Sequence, residues 1–255
     1  MTSTTPPHAS PLAPRGFFVT GTDTGVGKTR VAVALIHALR AQGLRVAAMK
    51  PVSAGNAPGE LNEDVTALLQ AADVDADLRD VNPYAFAEPV APHIAAQRAG
   101  VRIELEVVAA AYARLAAAAD VVVVEGAGGW RVPLNEREDM ADLARRLGLP
   151  VVLVVGLRLG CLNHALLTAE SIANRRLRWA GWVGNHIDPA MAFQAENLAA
   201  LHARLPAPCL GVQAFLPAGF SSEGVPHTTP HGLQPGADRS PLARQWLTLP
   251  EELAS

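Results

Sequence analysis

The sequence predicts a three-layer α/β/α sandwich built on a mostly parallel, doubly wound sheet. Short apolar runs alternate with helix-length segments along most of the 255 residues, which is the pattern of repeated βαβ units. Several runs, Val121 to Val124 above all, are continuously apolar rather than alternating, as strands become when helices cover both faces. A glycine-rich turn from Gly21 to Gly27 follows the first run directly, at a strand end where such sheets bind ligands.

The first unit reads as a strand from Gly16 to Thr20, a helix from Thr29 to Ala41 and a strand from Arg45 to Met49. Between Lys50 and Leu105, the prolines Pro51, Pro58, Pro83, Pro89 and Pro92 keep long helices from forming and predict loops near the strand ends. An Ala-rich helix from Leu105 to Ala119 then feeds a strand from Asp120 to Glu125, and a helix from Asp139 to Leu147 feeds one from Pro150 to Val155. Asn163 to Arg175 precedes a strand from Trp179 to Asn185, and Phe193 to Leu205 precedes one from Cys209 to Phe215. Roughly six or seven strands are expected, in one domain over residues 15–216. Residues 1–14 read as a flexible leader that lacks the charged and apolar regions of a secretory signal. Residues 217–255, rich in Pro and Gly, read as an extension outside the catalytic core.

Composition narrows the function. With 24 acidic residues against 21 basic ones and a net charge of −3, no broad positive field exists to hold a nucleic acid or an anionic membrane, so any phosphate must be gripped locally. The apolar runs fall far short of the roughly 20 residues needed to cross a bilayer. Cys161 and Cys209 stand far apart without a C-x-x-C partner, which suggests neither a disulfide framework nor a zinc site and suits the reducing cytoplasm.

The strongest local signal is Gly21-Thr-Asp-Thr-Gly-Val-Gly27-Lys28-Thr29, set between the first strand and the first helix. Small residues let successive backbone N–H groups converge on phosphate oxygens, and the helix N-terminus adds its dipole. Asp23, Thr24, Gly25, Val26, Gly27, Lys28 and Thr29 are therefore the expected nucleotide-binding stretch, with Lys28 reaching the β and γ oxygens of ATP and Thr29 placed for Mg²⁺. The loop is one residue longer than G-x-x-x-x-G-K-[ST], because Thr22 stands where the first glycine should be. A plain glycine turn has no use for a lysine at the positive end of a helix unless an anion is present.

Lysine usage points the same way. Of the 21 basic residues only Lys28 and Lys50 are lysines, although Arg serves everywhere else and cannot replace a compact ammonium in a tight phosphate cradle. Lys50 closes the second strand, and both lysines are expected at one site. Glu125 ends a buried strand before Gly126-Ala127-Gly128-Gly129, where a nucleotide enzyme needs an acid for Mg²⁺. Asp64 lies in Asn62-Glu63-Asp64 at the start of a helical pattern, where a cap or a first-turn acid is an equally good explanation.

The blocks Phe18-Val-Thr-Gly-Thr-Asp-Thr24, Gly27-Lys-Thr29, Lys50-Pro-Val52, Val81-Asn-Pro-Tyr84, Phe86-Ala-Glu-Pro89, Val124-Glu-Gly-Ala-Gly-Gly-Trp130, Leu159-Gly-Cys161 and Ala180-Gly-Trp-Val183 resemble the dethiobiotin synthetases in content and order, from about Gly16 to Leu216. The resemblance implies a P-loop fold, a homodimer, and an ATP- and Mg²⁺-dependent closure of a cyclic urea on 7,8-diaminopelargonic acid with CO2. It implies that Lys28 serves the β and γ phosphates, that Thr24 and Lys50 serve the carbamate and γ-phosphoryl group, and that Thr29, Asp64 and Glu125 surround Mg²⁺. It assigns Asn185 to the adenine edge, with an amide that offers both a donor and an acceptor. Gly160, Cys161 and Asn163 match the helix start that reaches the carboxylate of substrate bound mainly by the other subunit. Cys161 itself reads as packing, and His93 and His164 as structural residues. The family's Ala-Ser pair reads Ser53-Ala54 here, which makes Ser53 the candidate substrate hydroxyl.

Two rivals remain at this point. A partitioning ATPase of the same wider class would carry an extra lysine early in the loop, where Thr22, Asp23 and Thr24 stand. A relative that kept the ATP site but lost the diamine site finds its support in the Ser53-Ala54 exchange, and Lys50 argues against it.

Overall fold

The computed structural model describes residues 16–56, 59–215 and 246–250. The main elements are β1 (Gly16–Gly21), α1 (Lys28–Arg40), β2 (Val46–Met49), β3 (Val52–Ala54), α2 (Glu63–Ala71), α3 (Leu78–Val81), β4 (Tyr84–Phe86) and α4 (Pro92–Arg98). There follow α5 (Leu105–Ala118), β5 (Val121–Glu125), α6 (Met140–Leu147), β6 (Val151–Leu157), α7 (Cys161–Asn174), β7 (Trp179–His186), α8 (Gln194–Arg204) and β8 (Cys209–Gln213). Six strands form one sheet in the order β2-β5-β1-β6-β7-β8, with every pairing parallel.

Strand side chains alternate between two cores, which is why the runs read as continuously apolar. Phe18, Val122, Val124, Leu153 and Val155 join one cluster with residues of α4 to α8, while Phe17, Val19, Val121, Val123, Val152 and Val154 join the other with residues of α1 and α2. The sandwich is thus the expected three-layer, doubly wound one. The chain leaves β1 for β2 and later returns to insert β5 between them, then places β6 on the other side of β1. The ends of β5, β1 and β6 therefore share the crevice where strand order reverses.

Two features differ from the sequence expectation. β2 is not the direct neighbour of β1, because β5 lies between them, yet Lys50 still lines one cleft with Thr24, Lys28 and Thr29 from the loop after β1 and the start of α1. The proline-rich stretch expected as loops instead builds a small parallel pair, with Val52 opposite Tyr84 and Ala54 opposite Phe86, together with α2 to α4; the prolines limit these elements to short pieces.

The expected leader over 1–14 and most of the extension over 217–255 lie outside the described residues. Trp246–Pro250 is described, and it returns to β8: Leu247 bridges Gly211 in antiparallel fashion, and Thr248 N donates to Leu210 O at 2.6 Å. Leu247 is buried in the same cluster as Leu210 and Val183, and Trp246 and Leu249 pack against that cluster. No helix among the described residues is long and apolar enough to cross a membrane.

Candidate active site

The loop after β1 turns on glycines. Gly27 caps α1 with φ 88°, a left-handed conformation that costs a side-chain-bearing residue about 1–2 kcal/mol. A Cβ there would also lie 2.1 Å from Asn185 Nδ2. Trp130 N donates to Gly21 O at 3.1 Å, which holds the loop after β5 against this one.

α1 then begins with Lys28 and Thr29. Lys28 is buried, its Nζ donates to Asp23 O at 3.1 Å, and its pKa is lowered to about 8 by burial first and by the neighbouring Lys50 second. Thr29 shares its single hydroxyl proton between Asp64 Oδ1 at 2.6 Å and Glu125 Oε1 at 2.9 Å.

Lys50 and the two acids complete the cluster. Lys50 Nζ donates to Glu125 Oε1 at 2.6 Å and to Asp64 Oδ2 at 2.7 Å. Burial pulls the Lys50 pKa down, but Glu125 and Asp64 outweigh it and hold the ammonium above its ordinary value. Burial pushes Asp64 up, yet Lys50 and the Thr29 hydroxyl outweigh it, so this carboxyl stays below its ordinary value. Glu125 is fully buried, and there burial prevails over Lys50 and raises the pKa. Its Oε2 has no hydrogen-bond partner among the described residues.

The choice that the sequence left open for Asp64 is decided by its neighbour. Asn62 caps α2 and accepts from Asp64 N at 3.0 Å, which leaves the Asp64 carboxylate for Thr29 and Lys50. Thr29, Asp64 and Glu125 together could hold a divalent cation. No group of three His, Cys, Asp or Glu is gathered for a metal among the described residues, so an ion here would be completed by phosphate oxygens, as Mg²⁺ commonly is.

These side chains line one cleft of about 620 Å³ with Thr24, Gly25, Gly27, Arg30, Gly128, Asn185, His186, Ile187 and Phe215, a volume suited to a small ligand. Asp23 is not among the lining residues but braces the loop: its Oδ1 accepts from Thr24 N at 2.7 Å and its Oδ2 from Arg158 at 2.5 Å. Asn185, at the end of β7, lines the cleft. Its Nδ2 gives a hydrogen to Val26 O at 2.8 Å, so the buried atom left without a partner is the acceptor Oδ1. Val26 itself is buried and meets Asn185 through its carbonyl rather than its side chain.

Other expected substrate residues do not reach the cleft in this chain. The Ser53 hydroxyl is buried and donates to Asn82 Oδ1 at 2.9 Å, and Ser53 is not among the lining residues. Gly160, Cys161 and Asn163 form the start of α7 and are not among the lining residues; Cys161 is buried in the core beside Ala165. Sequence reasoning gave no role to Asn82, whose Nδ2 donates to Lys50 O at 2.6 Å and so fixes the backbone that carries the lysine. Its visible signals were its place before Pro83 and within the block Val81-Asn-Pro-Tyr84.

A parallel sheet whose central strand opens into a glycine loop, a Lys-Thr pair heading the next helix, and an acid at the neighbouring strand tip define a P-loop nucleotide-binding enzyme. A family model described as an AAA domain matches residues 15–217. The ATP-dependent dethiobiotin synthetase BioD of Aromatoleum aromaticum is 57% identical over 202 residues, 78% of this chain and 90% of that protein. The one from Nitrosospira multiformis is 54% identical over 201 residues, 79% of this chain and 88% of that protein. Among solved structures, the septum site-determining protein MinD complexed with Mg-ADP from Pyrococcus horikoshii aligns with a TM-score of 0.49 at 17% identity, covering 78% of this chain and 80% of that one. The chain belongs to the ATP-dependent dethiobiotin synthetases, ATP-binding ligases of biotin biosynthesis.

Proposed function

We propose that the cleft converts 7,8-diaminopelargonic acid and CO2 into dethiobiotin at the expense of ATP. The observation that carries this reading is the meeting of Lys28, Lys50, Thr29, Asp64 and Glu125 at the ends of β1, β2 and β5. A phosphoryl transfer to an anionic acceptor needs positive charge on both partners and a fixed line of approach.

One amine adds to CO2 and releases a proton, leaving a carbamate. Lys50 neutralises the carbamate oxygen, while Lys28 and the backbone N–H groups of residues 23–29 hold the β and γ phosphates and Thr24 lies at the transfer point. The γ-phosphoryl group passes to the carbamate oxygen and ADP leaves. The second amine then attacks the carbonyl carbon and loses a proton, phosphate departs and the ureido ring closes. Thr29, Asp64 and Glu125 would hold Mg²⁺, and the buried, unpartnered Glu125 Oε2 fits that assignment. When bound, the ion offsets the charge on the phosphates. Asn185 Oδ1 would accept from the amino group of adenine.

The same reading takes residues 15–216 as the synthetase domain, 217–255 as an extension and the cytoplasm as its compartment. It also takes a homodimer in which Gly160, Cys161 and Asn163 of one subunit meet the substrate carboxylate at the helix start, with Ser53 supporting Lys50 through Asn82. The test is incubation of purified protein with ATP, Mg²⁺, bicarbonate and the diamine, followed by measurement of dethiobiotin and phosphate. Phosphate release that ignores the diamine and yields no ureido product would refute it.

A further inference from the structure

Lys50 approaches the acids more closely than a substrate role by itself requires. Its ammonium donates to Asp64 Oδ2 at 2.7 Å and to Glu125 Oε1 at 2.6 Å, the acids that would hold the divalent cation. The chain thus sets a cation of its own on the oxygens suited to another. Burial gives the reason: Glu125 is 0% exposed, and a carboxylate so far from water requires a nearby positive charge. Lys50 supplies it by direct hydrogen bonds, whereas Lys28 Nζ donates to the Asp23 carbonyl.

We propose that Lys50 is gated by the divalent cation: its ammonium and the metal compete for Asp64 and Glu125, so Lys50 turns to the phosphoryl acceptor only once the metal holds them. The proposal rests on the Mg²⁺-dependent synthetase reading and adds an order of events to it. A divalent ion on the same oxygens repels the ammonium strongly at this range. The lysine can respond without moving its backbone, which is pinned by Lys50 N donating to Val81 O at 2.8 Å and Asn82 Nδ2 donating to Lys50 O at 2.6 Å. Its four-carbon stem supplies the rotation. An acceptor anion that enters before the metal meets a lysine still spent on two carboxylates, so metal binding and acceptor binding are positively coupled.

The chain's lysine economy makes this measurable, because Lys28 and Lys50 are its only lysines. Protein made with isotope-labelled lysine gives two side-chain ammonium signals in NMR, assigned with Lys50→Arg. Saturating Mg²⁺ added to the complex with a non-hydrolysable ATP analogue should move the Lys50 signal away from its carboxylate-paired position. A Lys50 signal that Mg²⁺ leaves in place overturns the gating. Independently, folded Lys50→Met should bind Mn²⁺ alone, without nucleotide, about tenfold more tightly than the unaltered protein; equal or weaker binding also overturns it. Neither arm contains the diamine. Failure to make dethiobiotin with a mobile Lys50 refutes the function and upholds the gating, whereas product formation with an unmoved Lys50 does the reverse.

Discussion

Lys50 Nζ lies 2.6 Å from Glu125 Oε1, with 5% and 0% of the two side chains exposed. They come from β2 and β5, which pair so that Met49 stands opposite Val124 and the next residue on each strand is the charged one. Breaking one side of such a buried pair leaves the other charge without water or partner. Lys50→Ala should abolish synthesis, leave nucleotide binding largely intact and lower stability by about 3 kcal/mol. Adding Glu125→Gln should recover most of that stability and none of the synthesis. Denaturant titration and product assay separate the two readouts, and an unchanged unfolding midpoint in Lys50→Ala would contradict the pairing.

Lys28 gives the nucleotide affinity a pH dependence. Its pKa of about 8 in the free protein lies below its ordinary value, and bound phosphates favour the ammonium. The complex therefore holds more protons than the free protein above about pH 8, and affinity falls as pH rises. Calorimetry at about pH 8.5, where phosphates are fully ionised, should show proton uptake across buffers of different ionisation enthalpy. Lys28→Met should bind more weakly and take up no proton; persisting uptake would assign it to another group.

Asn185 should set the base preference through its unpartnered Oδ1. With a hydrogen of Nδ2 given to Val26 and Oδ1 unpartnered, the amide suits a base with an amino group where adenine carries its 6-amino and cytosine its 4-amino group, the position at which guanine and uracil carry a carbonyl. ATP and CTP should support synthesis with a KM about tenfold lower than GTP and UTP, in line with about 1.5 kcal/mol for one satisfied buried acceptor. Equal KM values for ATP and GTP would show that Asn185 serves only to hold the loop.

Gly211 carries the return of the chain to the sheet edge. A Cβ there would lie 1.9 Å from Trp246 O, so Gly211→Ala should undock Trp246–Pro250 and expose Leu247 and the free edge of β8. The loss of buried apolar area predicts about 2 kcal/mol of destabilisation. Proteolysis near the C-terminus should speed up, and a wild-type digestion pattern would count against the docking.

The sequence determined by itself what local pattern can determine. The six sheet strands were legible because a strand buried on both faces must be apolar at every position, as Val121 to Val124 is. The nucleotide loop was legible because a left-handed cap and a phosphate cradle demand glycines and a lysine in a short span of chain. Lys50 was legible through the economy of lysine, without any knowledge of what it touches.

Tertiary structure alone decided the rest. Inserting β5 between β2 and β1 brings Lys50 within 2.6 Å of Glu125, 75 residues away, and no periodicity encodes strand order. Asn62 and Asp64 each suit a helix start, and only the arrival of Thr29 and Lys50 at the carboxylate separates cap from site. Ser53 and Asn185 are polar residues at strand positions; the Ser53 hydroxyl is claimed by Asn82, whereas Asn185 gives Nδ2 to Val26 and keeps Oδ1 free. Periodicity and turn chemistry act between near neighbours, whereas the side chains that meet in a site are chosen by long-range pairing of strands.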